Sequence, residues 1–316
     1  MPAARIIFMG TAELACPSLA TLCQNSAFHV AAVVTQPDRP KGRSLQLQPS
    51  PVKALALRHG LPVLQPERAR AEAFLQELAP LAPDLIVVAA YGQILPQALL
   101  DLPRRGCLNV HTSLLPKSRG AAPIQWALIQ GESETGVTLM QMDAGLDTGP
   151  ILTQRTTPIE AADNAQTLHD RLAALGAALL VDTIPGYLAG DLRPRPQPQE
   201  GASYARKITK DDGRIDWTQP ADTLWNRLRA FTPWPGSFTF QPDEPKPRLL
   251  KIWSATVEPQ RAGAPGEVLS ADKSGLVVAC GTHALRLIEV QREGGRRVAA
   301  REFLAGHLLS AGDRLG

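Results

Sequence analysis

The chain has 316 residues, 44% of them apolar and 20% charged, with 33 Lys+Arg against 30 Asp+Glu for a net charge of +3. That length suits two domains with separate cores, and the composition excludes a disordered or fibrous chain. The charge excludes the strongly basic character of a dedicated nucleic-acid module, although it is uneven: residues 1–189 hold 14 basic against 15 acidic side chains, and residues 190–316 hold 19 against 15.

Residues 5–9 form an apolar run that ends at Gly10-Thr11 and predicts a first strand. Residues 12–24 read as a helix, and residues 30–34 as a second strand ending at Thr35-Gln36-Pro37-Asp38. Strand, helix and strand within about 30 residues make a βαβ unit, so a parallel sheet covered by helices is expected. Gly10 invites a dinucleotide-binding reading. The run Gly10-Thr11-Ala12-Glu13 lacks the G-x-G-x-x-G pattern, however, and supports no nicotinamide or flavin site. A helix is predicted over 51–59 and a short strand over 61–64. Residues 84–90 are continuously apolar after Asp84, which suits a central parallel strand ending at Tyr91-Gly92. Residues 107–111 give the next strand, 123–130 a helix, 136–141 a strand and 165–180 a long Ala/Leu helix. Residues 190–206 alternate Pro with polar residues and read as an extended, semi-rigid linker. Beyond it, a helix over 221–231 precedes short β-like runs at 237–240, 249–254, 266–269, 276–279 and 284–290, the texture of a small barrel. The expected architecture is α/β: a Rossmann-like, doubly wound, mostly parallel sheet over 1–189, a linker over 190–206 and a smaller OB-like β-barrel over 207–316.

Cys16, Cys23, Cys107 and Cys280 make no C-x-x-C pair and no zinc-ligand spacing. They read as small buried residues in a reducing compartment. The sequence shows no leader-like opening and no apolar run near about 18 residues, so the expectation is a cytoplasmic protein with no membrane partner.

Chemistry concentrates at the end of the 107–111 strand. Side chains on a strand alternate faces, so Asn109 and His111 point the same way, about 6–7 Å apart. A carboxamide that donates hydrogen bonds beside an imidazole that moves protons suits acyl-group transfer. The competing reading is a satisfied polar cluster without catalysis. The loop Met142-Asp143-Ala144-Gly145-Leu146-Asp147-Thr148-Gly149-Pro150 also follows a strand. Its two carboxylates are either turn caps or a group that orients His111. Both segments lie at carboxyl ends of strands, where open α/β sheets keep their crevices.

Asn109, His111 and the Ser113-Leu114-Leu115-Pro116 loop, with Asp147 in a D-x-G-x-D-T-G segment, resemble the folate-dependent formyltransferases. Further blocks resemble the branch of that family that formylates methionyl-tRNA: Thr35 to Pro40 with Gly42-Arg43, Pro49 to Lys53, Arg119 to Gln125, Ile215-Asp216-Trp217 and Arg229 to Gly236. Thr112 and Ser118 depart from it, standing where the family usually has a Gly or Ala and an aromatic. The resemblance implies a 10-formyltetrahydrofolate co-substrate, an initiator methionyl-tRNA partner, no metal and a monomer. It implies direct attack of the methionyl amine on the formyl carbon. Asn109 and protonated His111 would stabilise the tetrahedral oxyanion, and His111 with Asp147 would manage the protons. Ser113, Leu114, Leu115 and Pro116 would border the folate, with Ala90, Tyr91, Gly92 and Asp143 facing its pterin. Arg39, Lys41 and Arg43 would sit on a loop that enters the acceptor stem, with Lys53 among that loop's cations. Lys207 and Lys210 would touch tRNA phosphates.

Overall fold

The computed structural model describes residues 3–41, 46–242, 247–273, 275–306 and 309–316. In chain order these form β1 (Ala4–Gly10), α1 (Cys16–Gln24), β2 (Phe28–Val34), a hairpin of β3 (Arg39–Lys41) and β4 (Gln46–Gln48), α2 (Pro51–Arg58), β5 (Val63–Leu64), α3 (Glu72–Leu78), β6 (Leu85–Ala89), α4 (Gln97–Leu100) and β7 (Cys107–His111). Then come β8 (Arg119–Gly120), α5 (Pro123–Ile129), β9 (Glu134–Gln141), β10 (Ile151–Pro158), α6 (Ala165–Ala189), β11 (Tyr204–Ala205), α7 (Ala221–Ala230), β12 (Ser237–Gln241), β13 (Arg248–Glu258), β14 (Val268–Asp272), β15 (Gly275–Ala279), β16 (Ala284–Arg292), β17 (Arg297–Ala299) and α8 (Ala300–Ala305). Contacts divide the chain into two compact units, residues 1–123, 134–158 and 169–205, and residues 124–133, 159–168 and 206–316.

The apolar runs become the middle of a sheet. In the first unit seven strands pair in the order β10-β9-β7-β6-β1-β2-β5. The pairings among β5, β2, β1, β6 and β7 are parallel, while β9 is antiparallel to both β7 and β10. Ile6, Ile7, Phe8, Leu85, Ile86 and Val87 are wholly buried, as strands covered on both faces require. From β1 the chain first builds outward to β2 and β5, then returns to add β6 on the other side. The carboxyl ends of β1 and β6 therefore flank the switch point of the winding. Helix α2 starts where its sequence says it should: Ser50 accepts a hydrogen bond from the Lys53 amide at 3.0 Å, and Pro51 opens the helix. Helix α6 is longer than the predicted 165–180 and runs on through Pro185. Its 25 residues are long and apolar enough to cross a membrane by length and composition, yet half of that stretch is buried within the protein. At Gly176 a Cβ would lie 2.8 Å from Val110 Cγ1, so a bare backbone lets α6 press against β7.

Several elements have no counterpart among those predicted from the sequence, β10 and α3 among them. Strand β10 carries Thr, Gln and Arg and forms the sheet's antiparallel edge, so it never shows a buried run. Helix α3 is a seven-residue helix with no side-chain cap. The segment read as a linker is indeed extended, but it returns to the first unit: Arg195 exchanges two backbone bonds of 2.7 Å with Ile151, and Tyr204-Ala205 pair in parallel with Arg119-Gly120.

In the second unit the strands pair in the order β12-β13-β16-β15-β14, with β17 on β16. Trp217, Leu224, Leu228, Leu250, Ile252, Val278, Leu287 and Phe303 fill its core. The Trp217 indole N–H donates to Thr239 Oγ1 at 3.0 Å, whereas Trp234 is exposed. The edge strands are joined through the last residues of the chain. Val268 bonds to Gly312 and Asp313, Gly266 to Leu315, and Phe240 exchanges two 3.0 Å bonds with Gly316. This strip links β14 to β12 and covers edges that would otherwise stand open.

Candidate active site

Strand register builds the floor of a crevice. Asn109 sits between Val88 of β6 and Met140 of β9, and His111 is opposite Thr138 of β9. All but Thr138 line a cavity of about 520 Å³. Ala90, Tyr91, Gly92, Gln93, Ile94 and Leu95 form one wall, and Met142 to Asp147 another. Leu14 enters after β1, and Gly120, Pro123 and Tyr204 complete the rim. Chain direction therefore brings together residues that follow β1, β6, β7 and β9 at one end of the sheet.

Within it the carboxamide, the imidazole and one carboxylate meet. His111 is only 6% exposed. Its Nε2 lies 3.0 Å from the carbonyl oxygen of Ser118, which can only accept, so Nε2 carries the hydrogen of the neutral ring. Nδ1 then faces Asp147 Oδ2 at 3.7 Å, too far for a hydrogen bond and close enough for charge to be felt. Asn109 Nδ2 donates to Asp147 Oδ1 at 3.3 Å, and the Gly120 amide donates to Asp147 Oδ2 at 2.8 Å. Asp147 has φ +53°, a left-handed backbone that an Asp tolerates better than most residues. Ser118, at φ +58°, is held by donating its amide to Ser203 Oγ at 2.8 Å. The other carboxylate of the loop, Asp143, is engaged locally: it accepts from the Gly145 amide at 3.1 Å and from Thr148 Oγ1 at 2.8 Å.

The Ser-Leu-Leu-Pro loop supports this arrangement from behind. Ser113 Oγ donates to the Lys117 carbonyl at 2.7 Å. Thr138 Oγ1 donates to the Ser113 carbonyl at 2.7 Å and accepts from the Leu115 amide, while Gln154 donates to the Leu115 carbonyl at 2.9 Å. Ser113, Leu114, Leu115 and Pro116 are not among the residues lining the cavity, whereas Ala90, Tyr91, Gly92 and Asp143 are. The Tyr91 carbonyl accepts from Thr11 Oγ1 and Gln36 Nε2, both at 2.9 Å. Burial pushes the Tyr91 phenol up to about 12, and its hydroxyl has no partner among the described residues. Burial likewise pushes the Cys107 thiol up to about 12, with the Asp101 carboxylate adding to it.

The described residues read as cations for a polyanion fall on both units. Arg39 is exposed on β3, and Lys41 ends that strand. Arg43 lies outside the described residues. Lys53 differs from a free loop cation: its ammonium is held by Asp38 Oδ2 and Gln65 Oε1, both at 2.7 Å. Lys207 and Lys210 are exposed on the second unit. Among the described residues no group of three or more His, Cys, Asp or Glu is placed to hold a metal ion.

The sequence reading did not single out Gly120, Gln197 or Tyr204. Arg119 and Gly120 stood only inside a resembling block. Met140 could have been found by pairing the two predicted strands around Asn109. Gln197 carries no local signal, because its partners Asp147, Gly149 and Arg119 lie 50, 48 and 78 residues away in the chain.

A formyl transferase family model matches residues 4–184, and a formyl transferase C-terminal domain model matches residues 207–308. A protein of Citrifermentans bemidjiense named methionyl-tRNA formyltransferase is 51% identical over 316 residues, covering 100% of this chain and 98% of that one. The fold resembles that of the N-formyltransferase from Helicobacter canadensis, solved with folinic acid and dTDP-3-aminofucose. The TM-score is 0.66 at 20% identity, over 90% of this chain and 99% of that one. It also resembles HypX from Aquifex aeolicus in complex with tetrahydrofolic acid, with a TM-score of 0.61 at 18% identity over 95% of this chain, which spans 46% of HypX.

Proposed function

The chain belongs to the formyl transferase family, and we propose that it transfers the formyl group of 10-formyltetrahydrofolate to the α-amino group of methionyl-initiator tRNA. The observation that carries the chemistry is the meeting of Asn109, His111 and Asp147 at one end of the cavity. The name shared by relatives near 50% identity supports the acceptor.

The cavity suits a flat heterocycle. Its apolar lining includes Val88, Leu95, Met140 and Met142, and residues 90–92 and the Asp143 turn also line it. These residues would hold the pterin of 10-formyltetrahydrofolate, which when bound would supply a formyl carbon carried on the nitrogen N10. Asn109 gives one Nδ2 hydrogen to Asp147 and keeps the second for an oxygen that gains negative charge under attack by an amine. His111, protonated at Nδ1, adds positive charge beside it, and Asp147 balances that charge. Because Ser118 fixes the Nε2 hydrogen, proton exchange with the reacting groups runs through Nδ1. The new C–N bond would form first, giving the tetrahedral oxyanion, and the bond to the folate nitrogen would break as that oxyanion collapses. The amine loses one proton and the leaving nitrogen takes one up, so His111 with Asp147 need only shuttle it. An α-amino group titrates near about 7.7–8.0, so a large neutral fraction is ready to attack. Positioning and charge stabilisation then carry the acceleration. Arg39, Lys41, Arg43, Lys207 and Lys210 supply cations for the tRNA.

The test is an assay with 10-formyltetrahydrofolate and charged initiator tRNA, with charged elongator tRNA, free methionine and an aminated sugar nucleotide as controls. Formylation of the initiator species alone supports the reading. Equal formylation of every amine, or hydrolysis of the folate without transfer, overturns it.

A further inference from the structure

We propose that Gln197, in the extended segment after α6, is a positioning residue that sets the Asp147 carboxylate against His111 and Asn109; the proposal rests on the formyl-transfer reading above. Both hydrogens of the Gln197 carboxamide are used on one loop. Nε2 donates to the Asp147 carbonyl at 2.8 Å and to the Gly149 carbonyl at 2.7 Å. Its oxygen accepts from Arg119, at 3.1 Å from Nε and 2.7 Å from Nη2. The Arg119 fork can only donate and the two carbonyls can only accept, so the amide has one orientation that satisfies all three. Arg119 precedes Gly120, whose amide holds Asp147 Oδ2 at 2.8 Å. A closed circuit results: carboxylate to Gly120, Gly120 along the chain to Arg119, Arg119 to Gln197, and Gln197 back to the Asp147 carbonyl. Asp147 is thereby gripped at both its main chain and its side chain, in a left-handed conformation that costs a non-glycine residue energy unless its surroundings hold it. Gln197 is itself fixed from both sides. Arg195 exchanges backbone bonds with Ile151, and farther on the Ser203 carbonyl accepts from the Arg119 amide at 2.9 Å. Gln197 does not line the cavity, so it acts through Asp147 rather than on a substrate.

Gln197→Leu keeps the size and removes the circuit. In the formyl-transfer assay kcat should fall about 10-fold or more, the scale on which small misplacements of catalytic groups act, with KM for the folate and the tRNA within about 2-fold. Combined with Asp147→Asn, the same substitution should cost less than about 2-fold, because a residue acting only through Asp147 has nothing left to position. Gln197→Glu offers two acceptor oxygens to two carbonyls while keeping the Arg119 pair, and should show the same kcat loss with the melting temperature preserved. If the leucine variant does not fold, the glutamate variant alone carries the cycle. Unchanged kcat in a folded variant, or an equal loss with and without Asp147→Asn, overturns the role of Gln197. A wild-type protein that forms no formylated tRNA instead overturns the functional reading, independently of this residue.

Discussion

The imidazole of His111 has its two nitrogens set to different tasks by groups at either side, a carbonyl at Nε2 and a carboxylate near Nδ1. Replacing His111 with Ala removes both the proton carrier and the charge. Turnover should fall at least about 100-fold, and Asn109→Ala should cost about 100- to 1,000-fold in kcat through the lost oxyanion donor. Steady-state kinetics on folded variants check both, and near-normal turnover would remove either residue from its role. The cysteines give a second expectation. Burial raises the Cys107 and Cys280 thiols to about 12, so hardly any thiolate is present in the native protein near pH 8. Iodoacetamide should label them only after denaturation, while the partly exposed Cys16 and Cys23 react first, as peptide mass spectrometry would read out. At this scale the sequence was informative where the relation was local. Asn109 and His111 share a face because a strand repeats every two residues. The choice between the two loop carboxylates was not local. Asp143 spends its oxygens on Gly145 and Thr148, and only the fold carries Asp147 to the ring.

Among elements, the buried strands β1, β2, β6 and β7 announced themselves because parallel strands covered on both faces must be apolar throughout. Strand β10 did not, since an edge strand with one open face reads as mixed polar sequence. The loop between β9 and β10 is the element on which the site depends, and its tightness has a steric cause at Gly149. A Cβ there would lie 1.9 Å from the Gln141 carbonyl oxygen. Gly149→Ala must therefore push the loop away from β9. It should cost about 1–3 kcal/mol of stability through overpacking, and about 10-fold or more in kcat, measurable by denaturant unfolding and kinetics together. Arg43 falls in the sequence between β3 and β4, outside the described residues. Arg43→Ala should raise KM for charged tRNA by about 10-fold, the worth of one good arginine contact, and leave the folate KM within about 2-fold. Equal damage to both would deny Arg43 a tRNA role.

Over the whole molecule, the two units are not consecutive stretches of chain: residues 124–133 and 159–168 group with 206–316. No local pattern announces that, because the grouping rests on contacts distant in sequence. The fold class itself was legible, since a βαβ opening and a later run of short strands are compositional signals. The closing strip at the chain's end was not, because residues 312–316 show no strand pattern and bond through their backbone. The second unit also carries an acid-sensitive pair. The Arg206 guanidinium, helped by Thr209, holds the Asp212 carboxyl well below the ordinary carboxylate range. A depressed folded value means that the contribution is complete above the unfolded value near about 4 and is lost as pH falls through the folded one. Asp212→Asn should lower the melting temperature at neutral pH, and the gap from wild type should close on acidification below about pH 4. A gap constant with pH would assign the effect to shape rather than charge. The clasp formed by residues 195–205 bears on recombination. A chimaera joined at residue 189, where the long helix ends, would inherit the catalytic sheet without Gln197 or Ser203. A crossover placed after Ala205 would carry the clasp along, so the heritable module ends sixteen residues beyond its last helix.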